Sequence, residues 1–387
     1  MGRQSADNKA QQERRMTGKS QCILHAIDTT GPGGAETVFL DLVQRLTVSG
    51  YNNYAIIKGS GWVEDQLKRR GVPYYIVKPH GFLSIKYYLQ LFKLLRSNNT
   101  RLIHAHLLGS TLTYSILSFF LRIPVVATLH GRVDVNPNER FVAIKNLIMK
   151  YGVSALIAVS RDLASYIAER KLFNKNHIQV IYNGIDESRY GKNNSKELRE
   201  LLNIPDDALL VGCLGNVRPA KSYDVLIAAA ATLIHEKKQN IHFIVAGHKK
   251  PELMKKLDEL MVKHAVVNRV HFIGFHEDTA RYLGQLDFFA LSSSSEGFSI
   301  ATIEAMATGL PVVATRCGGP QEILEHNVTG LLVEINDPQA LADQLLQLIQ
   351  HHSDGQRIAS AGKAHAISMF SFASMIDAYR KVYVQYL

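Results

Sequence analysis

Three cysteines in 387 residues, Cys22, Cys213 and Cys317, are too few and too scattered for a disulfide framework or a thiolate metal site. They suit a reducing compartment. No apolar run is long enough to span a bilayer. The most membrane-like stretch, Leu107–Leu121, has 15 residues broken by Ser and Thr, against the roughly 20 that a crossing helix needs. It predicts a buried helix. Residues 1–20 are polar, lack the apolar core of a signal peptide, and predict a disordered tail. There is no internal repeat and no low-complexity tract. No helix-turn-helix, zinc-ligand or RNP-type pattern accompanies the charge, which argues against nucleic acid as a partner. Asp-x-Asp is absent too, so the paired carboxylates that commonly hold Mg²⁺ in sugar-nucleotide enzymes are missing.

What is present reads as globular: 46% hydrophobic and 20% charged residues, in a chain long enough for two domains with cores of their own. The charge is uneven. Residues 1–190 hold 25 Lys/Arg against 13 Asp/Glu, a balance of +12. Residues 191–387 hold 19 against 21, or −2, which together give the +10 of the whole chain. A basic first half suits anionic lipid headgroups or a phosphorylated acceptor, although solvated charge alone also accounts for it.

Short apolar runs alternate with helix-length stretches along the chain. Cys22–Asp28, Tyr54–Lys58, Tyr74–Val77, Arg101–His106, Pro124–Leu129, Ala155–Val159 and Gln179–Tyr182 predict strands, with helices such as 35–49, 83–97, 109–121, 139–151 and 160–170 between them. Such alternation, with continuous apolar strands, predicts parallel sheets covered on both faces. The rhythm pauses in a polar stretch near 186–207. It resumes with Leu209–Leu214, Ile241–Ala246, Val270–Ile273, Phe288–Leu291, Pro311–Ala314 and Leu331–Val333. The expected fold is α/β, with two doubly wound parallel-sheet (Rossmann-like) domains over 21–186 and 208–370, a linker at 187–207, and a ligand cleft between them.

Chemistry concentrates after strand Phe288–Leu291. Between Glu296 and Arg316 the only ionisable residue is Glu304, in a predicted helix 299–308 that is small or apolar on every face. A carboxylate there costs several kcal/mol (roughly 2–7) unless it is hydrogen-bonded. The expectation is that sugar hydroxyls bond it. The amides at the helix start, Gly297, Phe298, Ser299 and Ile300, form an anion cradle with Glu296 at its mouth. At the start of the second domain Arg218 and Lys221 follow a strand within four residues, at a helix start whose dipole disfavours cations. An anion held between them explains the arrangement.

In the first domain, Gly33 and Gly34 sit in a glycine-rich strand-to-helix turn suited to close phosphate approach, or simply to a tight turn. As a dinucleotide fingerprint the turn fails: Glu36 stands where the third glycine belongs, and the second strand ends in Lys58. His130, followed by Gly131 at the end of strand Pro124–Leu129, points into the expected cleft. His104 reads as structural.

Together these residues resemble the GT-B glycosyltransferases of the retaining family 4 type. The resemblance rests first on Glu296 to Glu304 within EGFSIATIEAMATGLPVVAT. Matching segments are Gly-Gly-Ala-Glu at 33–36, Thr-Leu-His-Gly at 128–131, Ala-Val-Ser at 158–160, Asn-Gly-Ile-Asp at 183–186 and Gly-Gly-Pro-Gln-Glu at 318–322. It covers roughly residues 21–387 and implies an acceptor-binding first domain and a nucleotide-sugar-binding second domain. It also implies a closing helix, 371–387, that crosses back to the first domain. On that likeness Glu304 takes the ribose hydroxyls, Glu296 the donor sugar, and Lys221 with the 297–300 amides the diphosphate. Gly33 and Gly34 approach the donor phosphate, His130 the transferred sugar, and Phe275 and His276 the base. One departure is Asn216, where the family usually has an arginine; Arg218 is the candidate substitute.

The activity so implied is transfer of a hexosyl unit from a UDP- or GDP-sugar to a glycan or lipid-linked glycan, with no metal or other cofactor expected. Surface-glycan assembly in the cytoplasm, or peripherally on the inner face of the membrane, is the expected setting. The stretch 82–96, aromatic and basic, could lie on an anionic membrane or merely cover the sheet. The competing readings are a nucleotide-sugar epimerase or hydrolase of the same fold and a non-catalytic sugar-nucleotide binder.

Overall fold

The computed structural model describes residues 22–79, 81, 84–135, 140–170, 173, 177–193 and 195–387. The expected tail over 1–20 and the start of the 82–96 stretch (82–83) lie outside the described residues. The chain divides into two compact units. One is Met1–Val159 with Leu163–Ile181 and Ile376–Leu387, the other Ser160–Asp162 with Tyr182–Met375.

The first unit runs β1 (Cys22–Ile27), α1 (Gly34–Val48), β2 (Asn52–Ile57), α2 (Trp62–Arg69), β3 (Tyr74–Ile76), α3 (Ile85–Ser97), β4 (Thr100–His106), α4 (Leu107–Leu121), β5 (Val125–Leu129), α5 (Val142–Gly152), β6 (Ala155–Ala158), α6 (Arg161–Glu169) and β7 (Ile178–Val180). The strands form one parallel seven-stranded sheet in the order β3-β2-β1-β4-β5-β6-β7. All six residues of β1 are buried, as a central strand covered on both faces requires. α4 is the expected buried helix over most of its length. Among the described residues no helix is long and apolar enough to cross a membrane.

The second unit holds α7 (Glu197–Leu202), β8 (Leu209–Leu214), α8 (Tyr223–Ala231), β9 (Ile241–Ala246), α9 (Pro251–Lys263), β10 (Val270–Gly274), α10 (Thr279–Leu283), β11 (Phe288–Leu291), α11 (Ile300–Thr308), β12 (Val312–Thr315), α12 (Pro320–Ile323), β13 (Leu331–Val333), α13 (Pro338–Gln350) and α14 (His352–Met369). Its parallel six-stranded sheet has the order β10-β9-β8-β11-β12-β13. The last helix, α15 (Phe372–Val384), starts in this unit and ends in the first. There Tyr383 and Tyr379 hydrogen-bond His104 Nδ1 (2.6 Å) and Thr128 Oγ1 (3.2 Å) on neighbouring strands.

Two expectations shift for physical reasons. Strands expected to open on Pro124 and Pro311 begin one residue later, because proline has no N–H for the ladder. Its carbonyl still accepts, from Ile103 and Phe289 at 3.0 Å. The stretch 187–207, expected to be a linker, lies within the second unit and contains α7. Its backbone amides find partners there: Asn193 N donates to Gly284 O (3.1 Å) and Leu198 N to Gln285 Oε1 (2.9 Å). The three cysteines are buried free thiols, and burial pushes Cys22 up to about 11 and Cys317 up to about 12.

Candidate active site

In the second unit the strand order reverses between β8 and β11, where open α/β sheets gather their ligands at the strands' C-terminal ends. The loops leaving these strands are tied together. Ser294 N donates to Ala220 O at 2.8 Å and Ser292 Oγ to Lys221 O at 2.9 Å. Their side chains meet as well: Lys221 Nζ lies 2.7 Å from Glu296 Oε1, which also accepts from Ser293 Oγ at 2.7 Å. The two side chains are 18% and 15% exposed, so the pair is partly desolvated yet reachable. An ammonium has three donors; one goes to Glu296 and the others can take phosphate oxygens. Gly215 makes this possible, since a Cβ there would lie 2.4 Å from Lys221 Cε. Its φ of +156° is also one that side-chain-bearing residues rarely adopt.

Glu296 leads through Gly297, Phe298 and Ser299 into α11, whose N-terminus has no side-chain cap. Uncapped amides at a helix start are donors of the kind that anions take. The Phe298 ring is engaged elsewhere, stacked on Tyr182 (5.1 Å) and edge-on to Phe370 (5.4 Å). Any ligand contact at 298 therefore falls to the backbone.

Glu304 is 7% exposed, as the apolar helix implied. Sugar hydroxyls were the expected partners, but the chain supplies donors of its own. Its Oε1 accepts from Tyr190 Oη at 2.6 Å and from Thr279 Oγ1 at 3.2 Å. Burial first, and the Glu304 charge second, push the Tyr190 hydroxyl far above its ordinary range, so it stays a donor. The chain thus stabilises this carboxylate by itself, and a sugar hydroxyl is not required to explain its burial.

Arg218 does not join Lys221. It is exposed, with no ion pair among the described residues. Asn216, where the family usually has arginine, accepts from His248 N at 2.9 Å and braces the neighbouring loop. Phe275 stacks on His248 (4.7 Å, 8° between planes), and His276 tilts against Tyr282 at 5.8 Å, both just after β10.

In the first unit His130 directly follows β5, half-buried, with Nε2 3.2 Å from His106 Nδ1. Burial lowers His130 to about 4, so it is neutral near pH 7. The buried Asp134 fixes the turn: its Oδ2 accepts from His130 N (2.7 Å) and Gly131 N (3.2 Å). His25, His104 and His106 continue the row, with ring nitrogens within 4.8 Å of one another. Both His104 nitrogens are taken by the Tyr383 and Thr128 hydroxyls, which disfavours metal ligation there. Gly33 precedes α1, and Gly34 opens it. A Cβ on Gly33 would lie 2.4 Å from a Glu36 carboxylate oxygen, so the missing side chain already has a reason within the chain. Lys58, at the end of β2, pairs with Asp28 at 3.3 Å.

Sequence reading missed Tyr190, Thr279, Ser293 and Asp134, which lie outside the segments it weighted. Glu322 was visible only as part of a motif. Its carboxylate accepts from Arg161 N (2.8 Å), Asp162 N (2.7 Å) and the Tyr182 hydroxyl (2.9 Å), all residues of the second unit.

Comparison with known proteins finds two matching families along the chain. Residues 32–189 match the family described as Glycosyltransferase Family 4, and residues 208–351 match Glycosyl transferases group 1. The chain is 29% identical over 269 residues to the N-acetyl-alpha-D-glucosaminyl L-malate synthase of Bacillus anthracis, covering 69% of each chain. It is 28% identical over 272 residues to the O-antigen biosynthesis glycosyltransferase WclY of Escherichia coli, covering 68% of this chain and 72% of that one. The structure of Anabaena Alr3699/HepE in complex with UDP-glucose superposes with a TM-score of 0.85 at 24% identity, over 94% of this chain and 99% of that chain. The chain belongs to the GT-B glycosyltransferases of the family 4 type, and it is a hexosyltransferase.

Proposed function

We propose that the protein moves a hexosyl unit from a nucleotide diphosphate sugar to an acceptor hydroxyl in glycan biosynthesis, with retention at the anomeric carbon. The observation that carries this reading is the Lys221–Glu296 pair, held where the loops after β8 and β11 are hydrogen-bonded to each other. The relatives named for glycan assembly, and the UDP-glucose bound by the Anabaena protein, support it.

In this reading the second unit binds the donor. Lys221 and the amides of 297–300 take the diphosphate, Glu304 takes the ribose, and Glu296 takes the sugar while orienting the ammonium. Phe275 and His276 border the base, and the exposed Arg218 folds onto the phosphates when donor binds. The first unit receives the acceptor, with neutral His130 accepting a hydrogen bond from a hydroxyl of the transferred sugar and Gly33 and Gly34 at the donor phosphate. Departure of the nucleotide diphosphate builds negative charge, which Lys221 and the helix amides stabilise without a resident metal. The departing phosphate then takes the acceptor proton. The setting is cytoplasmic, with peripheral attachment to the inner face of the membrane.

The test is transfer of labelled sugar from UDP- and GDP-sugars to cell-envelope acceptors. Lys221→Ala should lower kcat about 10²–10³-fold, with the fold checked by thermal melting. Near-normal turnover in a folded Lys221→Ala protein removes the assigned role. Sugar release that is equally fast without any acceptor replaces transferase with hydrolase.

A further inference from the structure

The first unit carries an apolar surface turned the wrong way for a soluble helix. On α5 and the residue before it, Phe141, Ile144, Leu147 and Tyr151 recur every three or four positions, and each is more than half exposed (63%, 57%, 56% and 66%). At 100° per residue they share one face, about 15 Å long. The opposite side carries the contacts with the rest of the unit. Met149 is buried, and a Cβ on Gly152 would lie 2.5 Å from Ser115 Cβ of α4, so the two helices are packed tightly. On α4, the helix packed against α5, Phe119 and Phe120 are also exposed, at 52% and 74%. Monomeric proteins rarely show clustered large apolar residues of this kind unless something covers them.

The charge around this surface identifies what covers it. Between Leu107 and Gly152 the sequence has five cationic residues and only two acids, Asp134 and Glu139. Asp134 is buried against the His130 turn. Arg122 closes α4 and is exposed. Arg140 and Lys150 lie over the rings of Phe141 and Tyr151, at 5.0 and 5.8 Å. Aromatic rings with cations beside them fit a layer where acyl chains meet anionic headgroups. A second copy of this chain would bring like charge to like charge. An extended polyanion would leave the four apolar side chains wet.

We infer that the exposed face of α5, with the end of α4, seats the protein on an anionic lipid surface. This deepens the peripheral attachment proposed above and moves it from the 82–96 stretch to another element. Of α3, Tyr87, Leu91 and Leu95 are buried, so that helix chiefly covers its own unit. Ile85 and Leu89 are its exposed apolar residues. The inference rests on an acceptor that resides in a membrane, but its test does not depend on transfer.

The experiment is co-sedimentation of the full chain with phosphatidylglycerol-containing vesicles and with pure phosphatidylcholine vesicles. The variants are Ile144→Asp/Leu147→Asp, Arg140→Ser/Lys150→Ser, and Ile85→Asp/Leu89→Asp. Each is checked for an unchanged melting temperature and unchanged UDP binding, which separates failure here from failure of the donor reading. Wild type should bind the anionic vesicles and release them at high salt. The α5 aspartate pair should weaken partitioning about tenfold or more, the charge pair several-fold, and the α3 pair hardly at all. Three results overturn the inference: equal binding by the folded α5 variants, loss caused by the α3 pair instead, or a wild-type dimer that the α5 aspartates dissociate.

Discussion

Glu304 shows how one buried charge is made tolerable by groups far away in sequence. Tyr190 lies 114 residues before it, and no pattern in the chain links the two. The sequence does reveal the problem, a carboxylate in an apolar helix, and even its burial. It cannot reveal the solution, because a hydroxyl donor can come from any Ser, Thr or Tyr that the fold delivers. Replacing Tyr190 with Phe removes the 2.6 Å bond and leaves a buried carboxylate short of a donor. That should cost about 1–3 kcal/mol, read as a lower denaturant midpoint with unchanged slope. If Glu304 also takes the ribose, the same variant raises the donor KM more than it lowers kcat. Lys221 is the opposite case. Its sequence neighbourhood announced an anion, and a carboxylate 75 residues on is what the structure places beside it.

At the scale of elements, the strands were almost fully legible, since doubly covered parallel strands leave continuous apolar runs that few other structures produce. Helix α2 was not. Its apolar residues are few (Trp62, Val63, Leu67), and polar ones outnumber them. The 187–207 stretch, expected as a linker, falls in the second unit and holds α7. The reason is related: polar composition does not tell a linker from a packed segment. Loops at the switch point were located correctly, but their mutual hydrogen bonds were not foreseeable. Gly215 is the element-level test. A Cβ there meets the Lys221 side chain at a φ that disfavours any residue but glycine. Gly215→Ala should therefore destabilise by about 1–3 kcal/mol and depress turnover as Lys221→Ala does. A folded Gly215→Ala enzyme with wild-type kcat would show that Lys221 needs no fixed position.

For the whole molecule, stability depends on pH through a row of histidines inside the first unit, and burial lowers His242 and His271 of the second unit in the same direction. Burial holds His25 at about 3 and His130 at about 4, below the ordinary 6.5, and pulls His104 and His106 well down. The folded chain thus refuses protons that the unfolded chain accepts. Stability is level above about pH 6.5 and falls as the pH drops toward 4, by up to about 1.4 kcal/mol per pH unit for each fully buried histidine. Asp134 acts in the other direction. Burial raises its carboxyl to about 6 from the usual 3.8, so between those values the folded state binds its proton first and offsets one histidine. Denaturant midpoints measured from about pH 7.5 down to 5 should fall steeply below 6.5; a flat profile contradicts the burial. Neither nitrogen of His25 has a hydrogen-bond partner among the described residues. His25→Leu should flatten the acid slope without loss at neutral pH.

The sequestered thiols have a practical consequence. Cys22, Cys213 and Cys317 are all the cysteines of the chain, and each is buried with a reluctance to ionise. Electrophilic dyes and nitroxides should pass them by in the native protein. A single engineered cysteine at position 122 or 148 would then carry the only label. Its spectral response to added liposomes would gauge immersion depth without any change to the native thiols.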